Sequence, residues 1–325
     1  MTGASGFIGF HIANELLKRG WDVRCLMRQH KDPQNLTKLG TEIISGDLRD
    51  KDSLNKAMQG IDVLFHTAAL YSFWIKNIQE MYDSNVLGTQ NIFEIAYKNN
   101  VQKIIYTSTV GTIGIPHDGT PGNENTPLDP NGFKGHYKVS KYQAEQIALK
   151  MSKQGIPIVI VNPTAPMGPN DIKPTPTGKM ILDFLQRKMP GYTDTGLNVV
   201  DVRDVAIGHI LAFEKGKIGE RYILGNQNLT LKEILLILSQ ITGLKSPKIK
   251  IPFFILPPLA QINAWWAKLT HTQPRIEPEA IELARKFMFF DSSKAIRELG
   301  LPQRPVLETL QDATKWFCEH HQIKI

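Results

Sequence analysis

The chain opens MTGASGFIGFHIANELLKRG, and this stretch limits its possible folds more than any other. A loop of the form T-G-x-x-G-x-x-G belongs between a strand and a helix, where glycines let backbone approach a pyrophosphate and the helix amino end favours an anion. From Ile8 onward, Ile12, Leu16 and Leu17 recur at helical spacing, so the helix half is complete. The strand half is a single residue, Met1. Further on, strand-like runs at 22–27, 41–45, 62–66, 103–108 and 157–161 alternate with helical patterns at 8–19, 51–59, 79–99 and 137–154. Apolar strands alternating with helices predict an α/β fold, a doubly wound parallel sheet covered on both faces.

After Pro163 the pattern changes to the Pro- and Gly-rich PTAPMGPNDIKPTPTG, followed by helical patterns near 178–188, 230–242, 258–270 and 305–320. TLKE at 230–233 reads as a capping box. The expected organisation is a dinucleotide-binding domain over 1–165, to which 197–226 returns. A smaller, mostly helical substrate-binding cap is expected over 166–196 and 227–325.

Composition excludes several classes. The 38 Lys and Arg against 31 Asp and Glu give a net charge of +7, which suits an anionic ligand, but the charges are scattered and no basic run marks a nucleic-acid surface. Cys25 and Cys318 stand far apart with no His at ligand spacing, so neither a disulfide framework nor a metal site is expected, and a reducing cytoplasm is the expected location. The longest apolar stretch, IPFFILPPLAQINAWW, is interrupted by Pro252, Pro257 and Pro258, which argues against a transmembrane segment. Trp265 and Trp266 are adjacent and cannot share one helix face, so at least one is expected in the core.

The most informative short segment is GHYKVSKYQAEQIAL, in which Tyr137 and Lys141 lie four apart on one helix face. An ammonium beside a phenol favours phenolate, which would lower the Tyr137 pKa toward neutrality and suit it to general acid/base work. YTSTVG ends a strand just upstream, so Thr109, or Ser108 in its place, could donate a hydrogen bond to a substrate oxygen at the carboxyl end of the sheet. After the second strand the chain reads VRCLMRQHKD: Arg28 stands where an acid would bind a ribose 2′-hydroxyl and an Arg would pair with a 2′-phosphate. Arg28, with Lys31 as a helper, favours NADP over NAD; the alternative is an arginine ending a strand in solvent.

Together, Thr2-Gly3-x-x-Gly6-x-x-Gly9, GDLRD at 46–50, FHTAA at 65–69, Asn85 in NVLGTQNI, YTST at 106–109 and Tyr137-x-x-x-Lys141 resemble the extended short-chain dehydrogenase/reductases of the NAD-dependent epimerase/dehydratase family, whose fold is the Rossmann sheet. The resemblance covers essentially the whole chain. It implies that Tyr137 is the acid/base, that Lys141 holds the nicotinamide ribose, and that Thr109 orients the substrate. It places Gly3, Ser5, Gly6, Phe7 and Ile8 at the pyrophosphate, and Asp47 and Leu48 around the adenine. Thr67, Ala68, Ala69, Thr107 and Pro163 fall along the rest of the cofactor. Asn85 matches a helix-bending Asn. On the bland side, Asp47 could begin a helix, Asn85 could bond local backbone, and His66 reads as a core histidine.

Within the family, dehydratase-type members carry Asp-Glu after the catalytic Thr, whereas Val110 and Gly111 follow Thr109. VIVNPTAPMGPND is nearer the P-T-x-x-x-G-P of dihydroflavonol reductase-like enzymes than the RYFNVYGP type of sugar-nucleotide epimerases. The segments NPTAPMGPNDIKPTPTGKMILDFL, DTGLNVVDVRDVAIGH, GERYILGNQNLTLKEIL and ARKFMFFDSSKAIRELG resemble the group named hopanoid-associated sugar epimerases, which implies a small-molecule substrate that is partly apolar. Expected functions are therefore hydride transfer at a secondary alcohol or ketone carbon, epimerisation with retained cofactor, or a non-catalytic NADP-binding sensor. Thr175, Thr177, Asp194 and Arg203 are candidates for the substrate side, or else loop caps and surface ion pairs. Relatives commonly dimerise through the helices at 79–99 and 137–154, and Ala144, Ile147 and Ala148 would offer the apolar face of a homodimer. Relatives also carry a short apolar strand before the glycine loop, with Met1 at its last position. A GTG valine codon read as a start predicts that the natural product begins several residues upstream and that the first strand is truncated here.

Overall fold

The computed structural model describes residues 1–28, 34–70, 77–128, 135–258, 260, 261, 263 and 286–324, with the side chains of 34 and 35 left aside. The first helix α1 (Phe7–Lys18) follows the glycine loop, then β1 (Arg24–Met27), α2 (Gln34–Leu39), β2 (Glu42–Ser45), α3 (Lys51–Met58) and β3 (Val63–His66). Next come α4 (Ile78–Tyr82), a π-helical turn (Asp83–Leu87), α5 (Gly88–Lys98), β4 (Lys103–Thr107), α6 (His136–Lys153) and β5 (Ile158–Pro163). The rest comprises β6 (Ala165–Met167), α7 (Pro176–Leu185), β7 (Gly196–Asp201), α8 (Val202–Lys215), β8 (Arg221–Leu224), β9 (Gln227–Thr230), α9 (Leu231–Thr242), β10 (Phe287–Met288), α10 (Ser293–Leu299) and α11 (Val306–His321).

The main sheet runs β3-β4-β5-β8, all parallel, with β1 and β2 pairing in parallel beside it. Thr2 joins the two pieces by single parallel bridges to Leu26 and His66, so the glycine loop leaves the sheet at its middle. This is the expected α/β Rossmann arrangement, and the strands and helices of the first half fall within a few residues of the expected runs. Every residue of β5 is buried, as a strand covered on both faces must be. One core layer packs α1 and α8 against Val159 and Val161; the opposite layer sets Leu54, Ile92, Phe93, Ala144 and Ala148 against Ile104, Ile158 and Ile160. Each fully buried Ile or Val here contributes about 1.5–3 kcal/mol.

The later part of the chain contains a second sheet that periodicity did not foretell: β10-β7-β6 with β9 antiparallel to β7. β7 lies in this smaller sheet, whereas α8 packs on α1 and β8 completes the main sheet. A third core of Phe184, Leu185, Ile234, Leu235, Leu238, Leu310 and Phe317 holds α7, α9 and α11 together. The capping box forms as read, Thr230 receiving the Glu233 N–H and Glu233 receiving that of Thr230. Much of the expected helix at 258–270, with Trp265 and Trp266, lies outside the described residues. Ala144 and Ala148 are fully buried against the sheet, a correction to their expected place on an outer dimer face: small side chains here let α6 approach β5. Among the described residues no helix is long and apolar enough to cross a membrane.

Candidate active site

The glycine loop is tied down before it reaches any ligand. The Thr2 hydroxyl accepts the Ala68 N–H at 3.2 Å and lies 2.8 Å from His66 Nδ1, while the Thr67 hydroxyl donates to the Thr2 carbonyl at 2.6 Å. Gly3 has φ +73°, and a Cβ on it would lie 2.6 Å from Ala68 N; a Cβ on Gly9 would lie 2.1 Å from the Gly3 carbonyl oxygen. Both positions therefore require glycine. Gly6 differs: its added Cβ would meet only the Gly3 oxygen, at 3.3 Å. It is the N-cap of α1, with no side-chain cap and no acid in the first turn, so the helix amino end is left to an anion. Ser5 and Gly6 are exposed and Phe7 and Ile8 half-buried around that end. These residues fit a dinucleotide pyrophosphate.

At the end of β2, Asp47 is held by Arg49 through the backbone N–H, Nε and Nη2, and these bonds keep its carboxyl below the usual range. Leu48 is buried beneath it. Arg28 is half-exposed, and its guanidinium lies 3.8 Å from the Glu80 carboxylate; Lys31 falls outside the described residues. Ala68 and Ala69 follow β3 half-buried, and Pro163 closes β5 buried.

The carboxyl end of β4 gathers the candidate chemistry. Lys141 is 3% exposed; its Nζ donates to the Tyr106 hydroxyl at 2.9 Å and to the Thr107 carbonyl at 2.8 Å. Burial pulls its pKa down to about 7, against the opposing effect of Glu145. Tyr137 lies one turn earlier on α6. Its phenol is pushed up by burial, the reverse of the expected lowering. The physical reason is that the nearby ammonium is itself desolvated and its described hydrogen bonds go to Tyr106 and Thr107.

Thr109 accepts the Gly111 N–H at 3.1 Å, which leaves its own proton to give. Its carbonyl is fixed by Asn162 Nδ2 at 3.0 Å and by the Thr112 hydroxyl at 2.7 Å. The buried Ser108 hydroxyl has no partner. Thr107 points its hydroxyl to the α8 face, 2.9 Å from His209 Nε2, so its carbonyl is what it offers to the Lys141 side. His209 Nδ1 donates to Val205, and burial lowers its pKa to about 4, so it is neutral.

Asn85 sits at the centre of the π-turn. It receives the Leu70 N–H at 2.6 Å and donates to the Leu70 carbonyl at 3.2 Å and the Ser140 hydroxyl at 3.1 Å, clamping the chain after β3 to α6. Both ring nitrogens of His66 are engaged by threonines, and burial takes its pKa to about 3: a core histidine. The substrate-side candidates each have a partner within the protein. Thr175 caps α7, Thr177 donates to the Pro166 carbonyl, exposed Asp194 pairs with Lys250, and Arg203 pairs with Asp201 and Asp312. Sequence reasoning missed Tyr106, which reads as a core strand residue, and Glu145. The fully buried Glu145 carboxylate receives Thr112, Asn162 and Arg221 one turn beyond Lys141. Its signal was the spacing Tyr137, Lys141, Glu145 along one helix face. Among the described residues no group of three His, Cys, Asp or Glu stands together as a metal site.

A parallel doubly wound sheet with a glycine loop at its centre defines an NAD(P)-dependent enzyme of the short-chain reductase, epimerase and dehydratase class. The chain belongs to the NAD dependent epimerase/dehydratase family, whose sequence pattern it matches over residues 1–225. It is 45% identical over 328 residues to a dihydroflavonol 4-reductase-like protein of Synechocystis sp., covering all of this chain and 95% of that protein. It is 33% identical over 325 residues to the sterol demethylase protein B of Methylococcus capsulatus, covering 99% of each. The crystal structure of gox2253 superposes with a TM-score of 0.88 at 44% identity, over 99% of this chain and 98% of that one.

Proposed function

We propose that this enzyme is an NADP-dependent reductase of a ketone on a partly apolar small molecule, with Tyr137 as the proton donor. The observation that supports it most is the buried Lys141 amine at the carboxyl end of β4, one helical turn from a Tyr137 that keeps its proton. A protonated phenol suits reduction, in which the ketone oxygen must gain a proton. The names of the two curated relatives point the same way, to a 4-reductase and to a sterol.

Gly3, Ser5, Gly6, Phe7 and Ile8 would hold the pyrophosphate, Asp47, Leu48 and Arg28 the adenosine side, and Thr67, Ala68, Ala69, Thr107 and Pro163 the remainder. The nicotinamide, when bound, supplies the hydride. Thr109 donates a hydrogen bond to the ketone oxygen and orients it. Tyr137 then delivers its phenolic proton to that oxygen, and the Lys141 ammonium stabilises the phenolate left behind. In this reading 1–165 with 197–226 binds the dinucleotide, 166–196 with 227–325 covers the substrate, and a second copy packs on the outer face of α4–α6, where Leu87 is exposed.

The test is a panel of polycyclic and aromatic ketones with NADPH, followed by nicotinamide absorbance and product. Consumption in proportion to product supports reduction. Turnover without absorbance change, with nucleotide retained through purification, would instead identify an epimerase. Cofactor binding with no turnover of any kind would leave the sensor.

A further inference from the structure

Lysines that act beside a tyrosine must be held in place by something, and in this chain the holder is not a carboxylate. The groups facing Lys141 are Tyr137 and Glu145 on its own helix, Tyr106 from β4 and, behind Tyr106, the neutral His66 from β3. Glu145 is engaged elsewhere, by Thr112 at 2.8 Å, Asn162 at 2.7 Å and Arg221 at 3.2 Å. Among the described residues the hydrogen-bond partners of the Lys141 amine are therefore both neutral: a phenol hydroxyl and a carbonyl. An ammonium has three N–H groups, and these two partners take two of them.

Tyr106 is itself built in. It is fully buried, with Phe93 edge-on at 5.4 Å and the His66 ring stacked at 5.6 Å. His66 reaches Thr89 at 3.0 Å on one side and Thr2 of the glycine loop at 2.8 Å on the other. Buried contacts thus connect the glycine loop to the lysine: hydrogen bonds from Thr2 through His66 to Thr89, the His66–Tyr106 stack, and the Tyr106 hydroxyl on Lys141. The ring alone would satisfy the core; a phenylalanine would pack there equally well. The hydroxyl is the part that packing does not explain.

We infer that Tyr106 is a positioning residue whose hydroxyl, with the Thr107 carbonyl, fixes the Lys141 amine at the place from which it serves the cofactor ribose and Tyr137. The inference rests on the proposed Tyr137–Lys141 chemistry for its functional meaning, yet the contact can be tested in the protein without turnover. The variant is Tyr106→Phe, which keeps the ring and removes one acceptor from the ammonium. In full-length protein labelled with 13C at lysine Cε, the Lys141 signal, assigned by its loss in Lys141→Arg, should titrate about half a pH unit or more below its wild-type midpoint. The NADPH dissociation constant should rise about three- to tenfold, with little change in melting temperature.

A second measurement needs no variant at position 106. With 13C at tyrosine Cζ, the Tyr106 signal of wild-type protein should step at the Lys141 midpoint. An unchanged Lys141 midpoint together with unchanged NADPH affinity in Tyr106→Phe would overturn the inference, as would a Tyr106 signal blind to the lysine titration. Full activity in Tyr137→Phe would sink the proposed chemistry while leaving these titrations as they are, so the two failures are distinguishable.

Discussion

Two buried charge clusters in this molecule are built in opposite ways. Where β7 meets α8, Arg203 forks onto Asp201 at 2.7–2.8 Å and reaches Asp312 of α11 at 2.7 Å, while Thr309 adds a hydrogen bond to Asp201. Arg304 stands nearby, its backbone N–H on Asp204. Burial alone would push the Asp201 carboxyl up, but the Arg203 hydrogen bonds outweigh it and hold it below its usual value. At the end of β4, by contrast, Lys141 is given neutral hydrogen-bond partners and falls to about 7. A cluster that serves the scaffold neutralises its charges, whereas the one proposed to move a proton leaves its cation poised.

The largest effect that would break this contrast is on chemistry. Tyr137→Phe should lower kcat for ketone reduction about 100-fold or more while leaving NADPH affinity nearly intact, measured by steady-state kinetics and fluorescence titration. On the scaffold side, Asp201→Ala strands Arg203 and Thr309 and should cost about 3 kcal/mol of stability by denaturant unfolding, discounted because Arg203 is partly exposed. The wild-type carboxyl has its pKa depressed on folding. Its contribution is therefore complete above the unfolded value near 3.9 and is lost as pH falls through the lower folded value. Thermal melts of the wild type and Asp201→Ala should accordingly converge in acid.

A third cation, Arg28, belongs to neither cluster: it is half-exposed, with Glu80 at 3.8 Å. Arg28→Asp should weaken NADP by about tenfold or more, roughly 1.5–3 kcal/mol, and NAD far less. Unchanged affinities for both cofactors after the substitution would place Arg28 in solvent. Smaller still, and opposite in sign to Asp201→Ala, is Lys141→Met. Removing a desolvated amine with neutral partners should raise stability at pH 7 and below by about 1 kcal/mol while activity is lost. The lysine's pKa is lowered on folding, so its penalty is present below pH 7 and fades as pH rises from about 7 toward 10.4, and the gain should fade with it.

What the amino-acid order revealed follows the same division. The glycine loop, the strands of the main sheet and the helix carrying Tyr137 and Lys141 declare themselves through long periodic runs and fixed spacings. The second sheet did not, because β6 and β10 are three and two residues long and carry no period of their own. The π-turn around Asn85 lies within an unbroken helical pattern; only the buried hydrogen bonds of Asn85 to Leu70 and Ser140 reveal it. Tyr106 reads as an apolar strand residue because its ring is one; the use of its hydroxyl depends on a helix 35 positions away. Arg203 reads equally as a substrate contact or a surface ion pair, because Asp312, its partner, lies more than a hundred residues further on.

The most direct test of a poised lysine beside a protonated tyrosine is the pH dependence of kcat/KM for ketone reduction with NADPH. The account predicts activity that is highest below about pH 7 and falls as pH rises through the Lys141 pKa near 7, while Tyr137 keeps its proton. A profile that is flat from about pH 6 to about pH 9, or that rises with pH as a phenolate base would require, would contradict it.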